Sequence, residues 1–286
     1  MSYRLSPRAS LRGLLLALLV CFASAATVVA GTAGASTLPT LSLSVTKSSL
    51  SLVGPPPPSG GANVVLAATG TKEANVILFL LGPGSTQAEV EVFLANKSKA
   101  ADPNNASRFG AIVFDAEATT GQPAEAQTFL AAGQYLVLVG EGEGAPKVRA
   151  SFAVSAAAAP VMLPAPAATE RSIEFGFRGP SVLHDGELVR FENEGFLVHM
   201  DIAFPVRSRA AAAKAVTDLL VGDEKGINKL IAGPPVGFAG PLSSGAYQQE
   251  TITAKPGWYV QACFMETQDH RDHTMLGMER VIKIAK

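Results

Sequence analysis

The side chains able to do redox or metal chemistry in this 286-residue chain gather toward its C-terminus. Four histidines are present, His184, His199, His270 and His273, and two of them lie within ten residues of Cys263 in the stretch GWYVQACFMETQDHRDHTMLGM (257–278), which methionines close. A soft thiolate with imidazoles and a thioether suits a copper ion cycling between Cu(I) and Cu(II). Zinc accepts cysteine and histidine but has little use for methionine. Cys263 closes an apolar run, a loop of turn-forming residues follows, and Met278 begins the last apolar run. Such a loop can fold back and present several donors to one point. His199 follows LVRFEN and the turn Glu194-Gly195, so a neighbouring strand could carry it to the same end of a sheet.

The elements that must position these donors read as strands. Short runs rich in Val, Ile, Leu and Phe between Gly, Pro and Ser recur throughout: LSLSVT (41–46), NVVLAA (63–68), NVILFLL (75–81), GAIVFDA (110–116) and QYLVLVG (134–140), then SIEFGFR (172–178), LVRFEN (188–193), HMDIAFPV (199–206), QQETITA (248–254), WYVQACF (258–264) and RVIKIA (280–285). This rhythm predicts an all-β protein built of sandwiches. The Ala/Pro-rich stretch AAAAPVMLPAPAA (156–168) reads as a linker between domains at 36–155 and 169–286. The two halves resemble each other, with Gly133-Gln134-Tyr135 facing Gly257-Trp258-Tyr259, Val139 facing Cys263, and Asn75 falling about where His199 does. From Arg209 to Gly233 apolar residues recur at helical spacing, which predicts two short helices covering one side of the second sandwich.

The N-terminus has the order of a secretory signal peptide: Arg4, Arg8 and Arg12, an apolar run from Leu14 to Val20, then small residues. Cleavage after Ala35 fits Ala33-Gly34-Ala35, with Ala25 and Ala30 as other candidates, and in each case Cys21 is removed. Residues 1–35 are therefore read as a signal peptide, and the mature chain as secreted or held in the cell envelope. Its single cysteine, Cys263, can form no internal disulfide and needs burial or a metal for protection. A buried cysteine acting as a small hydrophobe is the other reading.

On these residues the C-terminal domain is similar to the cupredoxins, the blue-copper family of plastocyanin and azurin. FENEGFLVH (191–199) resembles the family's F-x-N-like turn before its first histidine, and Gly257-Trp258-Tyr259 its approach to the ligand loop. The resemblance implies two Greek-key cupredoxin-like β-sandwiches, the second with the short helical insertion. It also implies one copper per chain, held by His199, Cys263, His273 and Met278, the last three spaced as C-x9-H-x4-M. The N-terminal half, with neither histidine nor cysteine after residue 35, would keep the fold without the ligands. A second register, C-x6-H-x4-M through His270 and Met275, remains open. The first is preferred because Leu276-Gly277-Met278 leads directly into the closing strand and Gly277 permits a tight backbone there.

The remaining signals exclude more than they add. A net charge of −1 gives no basic stripe for nucleic acid, and no apolar run of the mature chain reaches membrane-spanning length. No G-x-S-x-G, Walker or H-E-x-x-H motif occurs. Four histidines are too few for a trinuclear copper cluster or a second copper, and one mature cysteine too few for a dinuclear purple-copper site. No enzyme activity is expected on that count. The sequence leads to an exported copper protein that transfers electrons to or from an unknown redox or copper-transfer partner. The alternatives are a copper chaperone or scavenger, and a metal-free structural exported sandwich.

Overall fold

The computed structural model describes residues 37–96, 100, 102–140 and 145–286. The signal peptide read in residues 1–35 lies outside the described residues. The first half contributes β1 (Thr40–Val45), β2 (Leu50–Val53), β3 (Gly60–Ala68), β4 (Glu73–Leu81), β5 (Gly110–Thr119), β6 (Ala124–Leu130), β7 (Gly133–Gly140) and β8 (Lys147–Val154), with helix α1 (Gln87–Ala95) between β4 and β5. The second contributes β9 (Ala168–Ile173), β10 (Gly176–Arg178), β11 (Val182–His184), β12 (Leu188–Asn193), β13 (His199–Val206), β14 (Val236–Leu242), β15 (Tyr247–Thr251), β16 (Gly257–Ala262) and β17 (Glu279–Ala285). Helices α2 (Arg209–Leu220) and α3 (Glu224–Leu230) lie between β13 and β14.

These strands form two β-sandwiches that share a sheet. One sheet of eight strands runs β10-β9-β12-β15-β6-β3-β1-β2, and the β15–β6 pairing joins its halves. The four-stranded sheet β5-β4-β7-β8 and the five-stranded sheet β11-β17-β16-β13-β14 complete the sandwiches. Leu41, Leu43, Leu66, Val76, Leu78, Phe114, Tyr135 and Val137 fill the first. Leu183, Val189, Phe191, Phe238, Tyr259, Ile282 and Ile284 fill the second.

Alternation along two strands explains a third layer of packing. In β4 the side chains of Val76 and Leu78 enter the first core, so Ile77 and Phe79 face the other way, and Leu136 and Leu138 do the same in β7. That outer face is not left to water. It packs on Val90 and Phe93 of α1 and on Val198, Cys263, Met265 and Met278 of the second half. Burial on both faces is why NVILFLL and QYLVLVG read as continuous apolar runs.

Tyr135 and Tyr259 carry the same device in the two halves. The Tyr135 hydroxyl donates to the Ala131 carbonyl at 3.0 Å, and the Tyr259 hydroxyl to the Lys255 carbonyl at 2.7 Å, each four residues back. These matching bonds support the register between the halves read from the sequence. Removing either hydroxyl as Tyr→Phe should lower the unfolding free energy by about 1 kcal/mol, measurable by urea titration. A loss near zero would mean the bond only accompanies the turn.

The helices behave as their spacing predicts. Ser208 caps α2 by accepting from the Ala211 N–H, and Asp223 caps α3 by accepting from the Gly226 N–H. Ala212, Ala215, Leu219 and Ile227 pack on Val206, Val260 and Ala262, covering the outer face of the five-stranded sheet. SIEFGFR, expected as one strand, instead folds into the β9–β10 hairpin, with Gly176 paired to Ile173 and Glu174 and Phe175 at the turn.

Candidate metal centre

Three side chains from two separate stretches meet at one end of the second sandwich. His199 opens β13, Cys263 follows the last residue of β16, and His273 begins a 3-10 turn, His273–Leu276, in the loop before β17. The loop is fixed by backbone bonds: Cys263 N–H to the Met278 carbonyl at 3.2 Å, His273 N–H to the Met265 carbonyl at 2.8 Å, and Met278 N–H to the His273 carbonyl at 3.0 Å. Gly277 ends the 3-10 turn at φ 98°, a left-handed conformation that glycine adopts without a steric cost. On the other side Asn193 holds the turn before His199. Its Nδ2 donates to the carbonyls of Leu197 and Leu242, and its Oδ1 accepts from the Gly195 N–H.

The donor atoms form a small triangle. His199 Nδ1 lies 3.1 Å from His273 Nδ1, and Cys263 Sγ lies 3.8 Å from the first and 3.4 Å from the second. The centre of such a triangle is about 2 Å from each corner, the length of a bond from a first-row metal ion to an imidazole nitrogen. Cys263 and His273 are 0% exposed and His199 2%. Burial leaves all three in the states a metal needs or can create. It lowers His199 against the opposing pull of Glu174, and burial together with the proximity of His199 lowers His273 to about 4, so the neutral form of each ring is favoured. Burial also pushes the Cys263 thiol up to about 12, so a metal binds there by displacing its proton. Met278, fully buried, lies in the same apolar cluster as Cys263 and Met265. The residues present fit one copper ion, with two imidazoles and a thiolate in a plane and a thioether-bearing chain beside them.

The other candidate histidine of the loop points outward. His270 sits at the tip of the loop at φ 62° with its side chain 71% exposed, next to Glu266. The structure gathers His273, not His270, beside Cys263. Met275, its companion in the second register, lies against Gly222 instead. His184 is exposed beside Glu187.

Three contributors were not read from the sequence. Glu174 Oε1 is 3.2 Å from His199 Nε2, the nitrogen on the far side of the ring from the triangle. The same oxygen accepts from the N–H groups of Phe196 at 2.5 Å and Leu197 at 2.8 Å. Burial works against the charged form of Glu174, but the hydrogen bonds from Leu197, His199 and Phe196 outweigh it and hold the carboxyl below its ordinary value. The Met200 N–H points at Cys263 Sγ from 3.4 Å. From the first half, Asn104 Oδ1 accepts from the Val198 N–H at 2.6 Å, beside His199. None of these has a motif. The only signal was an acidic residue inside an otherwise β-like run.

No protein-family model matches the sequence, and no curated protein does. Solved structures do. An auracyanin from Roseiflexus castenholzii is 21% identical over 41% of this chain and 95% of its own, with a TM-score of 0.26. A Cu-containing nitrite reductase from Thermus scotoductus is 14% identical over 87% of this chain and 68% of its own, with a TM-score of 0.26. A multi-copper oxidase from Pseudomonas thermotolerans is 12% identical over 86% of this chain and 68% of its own, with a TM-score of 0.23. At these identities and TM-scores the likeness is one of outline, and the metal chemistry rests on the donor triangle.

One expectation is corrected. The count of histidines predicts no enzyme activity, yet structures similar to the chain over 86–87% of its length include a nitrite reductase and multi-copper oxidases, which are enzymes. The exclusion had counted histidines within one chain. Such a count is silent on donors from a second copy and on donors other than histidine.

Among the described residues no helix is long and apolar enough to cross a membrane.

Proposed function

We propose that this is an exported copper protein with a single type 1 centre, whose ligands are His199, Cys263, His273 and Met278, and that it transfers electrons. The observation that carries the reading is the buried triangle of one sulfur and two Nδ1 atoms. A thiolate and two imidazoles fixed by the surrounding chain let copper change oxidation state with little movement of its ligands, which lowers the reorganisation that electron transfer requires. When bound, the metal supplies the redox couple. The chain supplies everything else: β13 and the 257–278 segment hold the donors, the apolar residues around them exclude water, and the outer hydrogen bonds fix the rings. Support for export comes from the signal-like order of the N-terminal sequence, and the partner is a redox protein.

The test is to load the metal-free protein with Cu(II). One equivalent per chain should bind with an intense visible thiolate absorption, and free copper at a thousandfold excess over Kd should raise the unfolding free energy by about 4 kcal/mol. Copper bound without that absorption would favour the chaperone or scavenger reading. No stoichiometric binding would leave a structural sandwich with a buried cysteine.

A further inference from the structure

We propose that Glu174 is a positioning residue for the metal centre, which fixes the orientation and tautomer of His199 and raises the electron density of its ring. The proposal rests on His199 being a ligand and goes beyond it by assigning the group that sets the properties of that ligand. An imidazole offers one lone pair to a metal only if its other nitrogen carries the proton, and a carboxylate acceptor at that other nitrogen selects this tautomer. Glu174 Oε1, 3.2 Å from His199 Nε2, occupies that place and leaves Nδ1 free to face Cys263 and His273.

Two further observations mark the contact as built. The same Oε1 takes the Phe196 and Leu197 N–H groups, so the carboxylate is pinned to the turn that leads into His199. Gly195 lies directly against the pair: a Cβ there would come within 2.5 Å of Glu174 Oε1 and 2.8 Å of His199 Nε2. Any larger residue would push the acid and the ring out of contact. By contrast His273 Nε2 is buried without a hydrogen-bond partner. The two histidines are therefore unequal, and the carboxylate is hydrogen-bonded to His199 alone of the two.

The decisive variant is Glu174→Gln in the full mature chain. Glutamine keeps an oxygen for the Phe196 and Leu197 N–H groups, so a purely structural role is preserved, while the negative charge behind His199 is lost. The expected result is a folded, coloured protein whose Cu(II) affinity falls about 10–100-fold, the usual cost of losing such an outer partner, while its Cu(I) affinity falls less, so that the reduction potential shifts upward. Gly195→Ala keeps the charge but breaks the contact, and should lose the Nε2–H tautomer of His199, read by imidazole nitrogen NMR on the metal-free protein. A coloured parent whose Glu174→Gln variant has the same potential and the same affinity ratio would overturn this proposal alone. A copper-loaded parent without thiolate absorption would overturn the ligand reading and this proposal with it.

Discussion

Cys263→Ser is expected to abolish the visible absorption of the copper-loaded protein while leaving the sandwich folded. The colour comes from charge transfer between a thiolate and Cu(II), and a serine hydroxyl stays protonated at neutral pH and cannot replace that donor. Cys263 is fully buried, with Met265, Met278 and Val198 in its apolar cluster and the Met200 N–H and two imidazole nitrogens facing its sulfur, so the substitution also puts a hydroxyl where it is cut off from water. That costs about 1–3 kcal/mol, within the stability of an ordinary domain. Circular dichroism of the metal-free variant should match the parent. Colour that survived the change would show that the sulfur is not bound to the metal.

The second large effect separates the two histidines of the loop. His273→Ala should remove the colour and weaken copper by more than the about 10–100-fold that losing a ligand's outer partner costs, because it takes away one of three strong donors from a closed site. His270→Ala should change affinity no more than about twofold, as for an exposed residue whose substitution is worth within about 0.5 kcal/mol. Copper retention and visible spectra of the two variants, measured together, check this. The reverse pair of outcomes would restore the C-x6-H-x4-M register.

Much of the arrangement was legible because it is local. The spacing from Cys263 to His273 to Met278 lies within one loop, and the turn before His199 carries its own asparagine and glycine, so sequence distance reports spatial distance. The β rhythm was equally plain wherever a strand was apolar on both faces. β6 (AEAQTFL) escaped because small and polar residues sit on its buried side, Ala126 and Thr128 among them. β14 (VGFAGPL) escaped because glycine and proline argue against a strand, yet it lies at the edge of the five-stranded sheet, where both are tolerated. Glu174 was hidden by the same kind of error. SIEFGFR alternates like a strand, and the turn inside it has neither glycine nor proline at its two corner positions. Its bond to His199 spans 25 residues, and Asn104 reaches Val198 across 94. Contacts of that range leave no trace in spacing.

The packing of the first sandwich on the metal end of the second bears on time as well as on affinity. Ile77, Phe79, Leu136 and Leu138 belong to the same apolar cluster as Cys263, Met265 and Met278, and His199, Cys263 and His273 have almost no exposed surface. An ion held there has no direct path to solution, so its residence time is set by how often this apolar joint opens, not by the strength of any single bond to it. A chain with modest equilibrium affinity could then retain its ion through many encounters with competing chelators. Loading of the folded metal-free protein would be paced by the same opening.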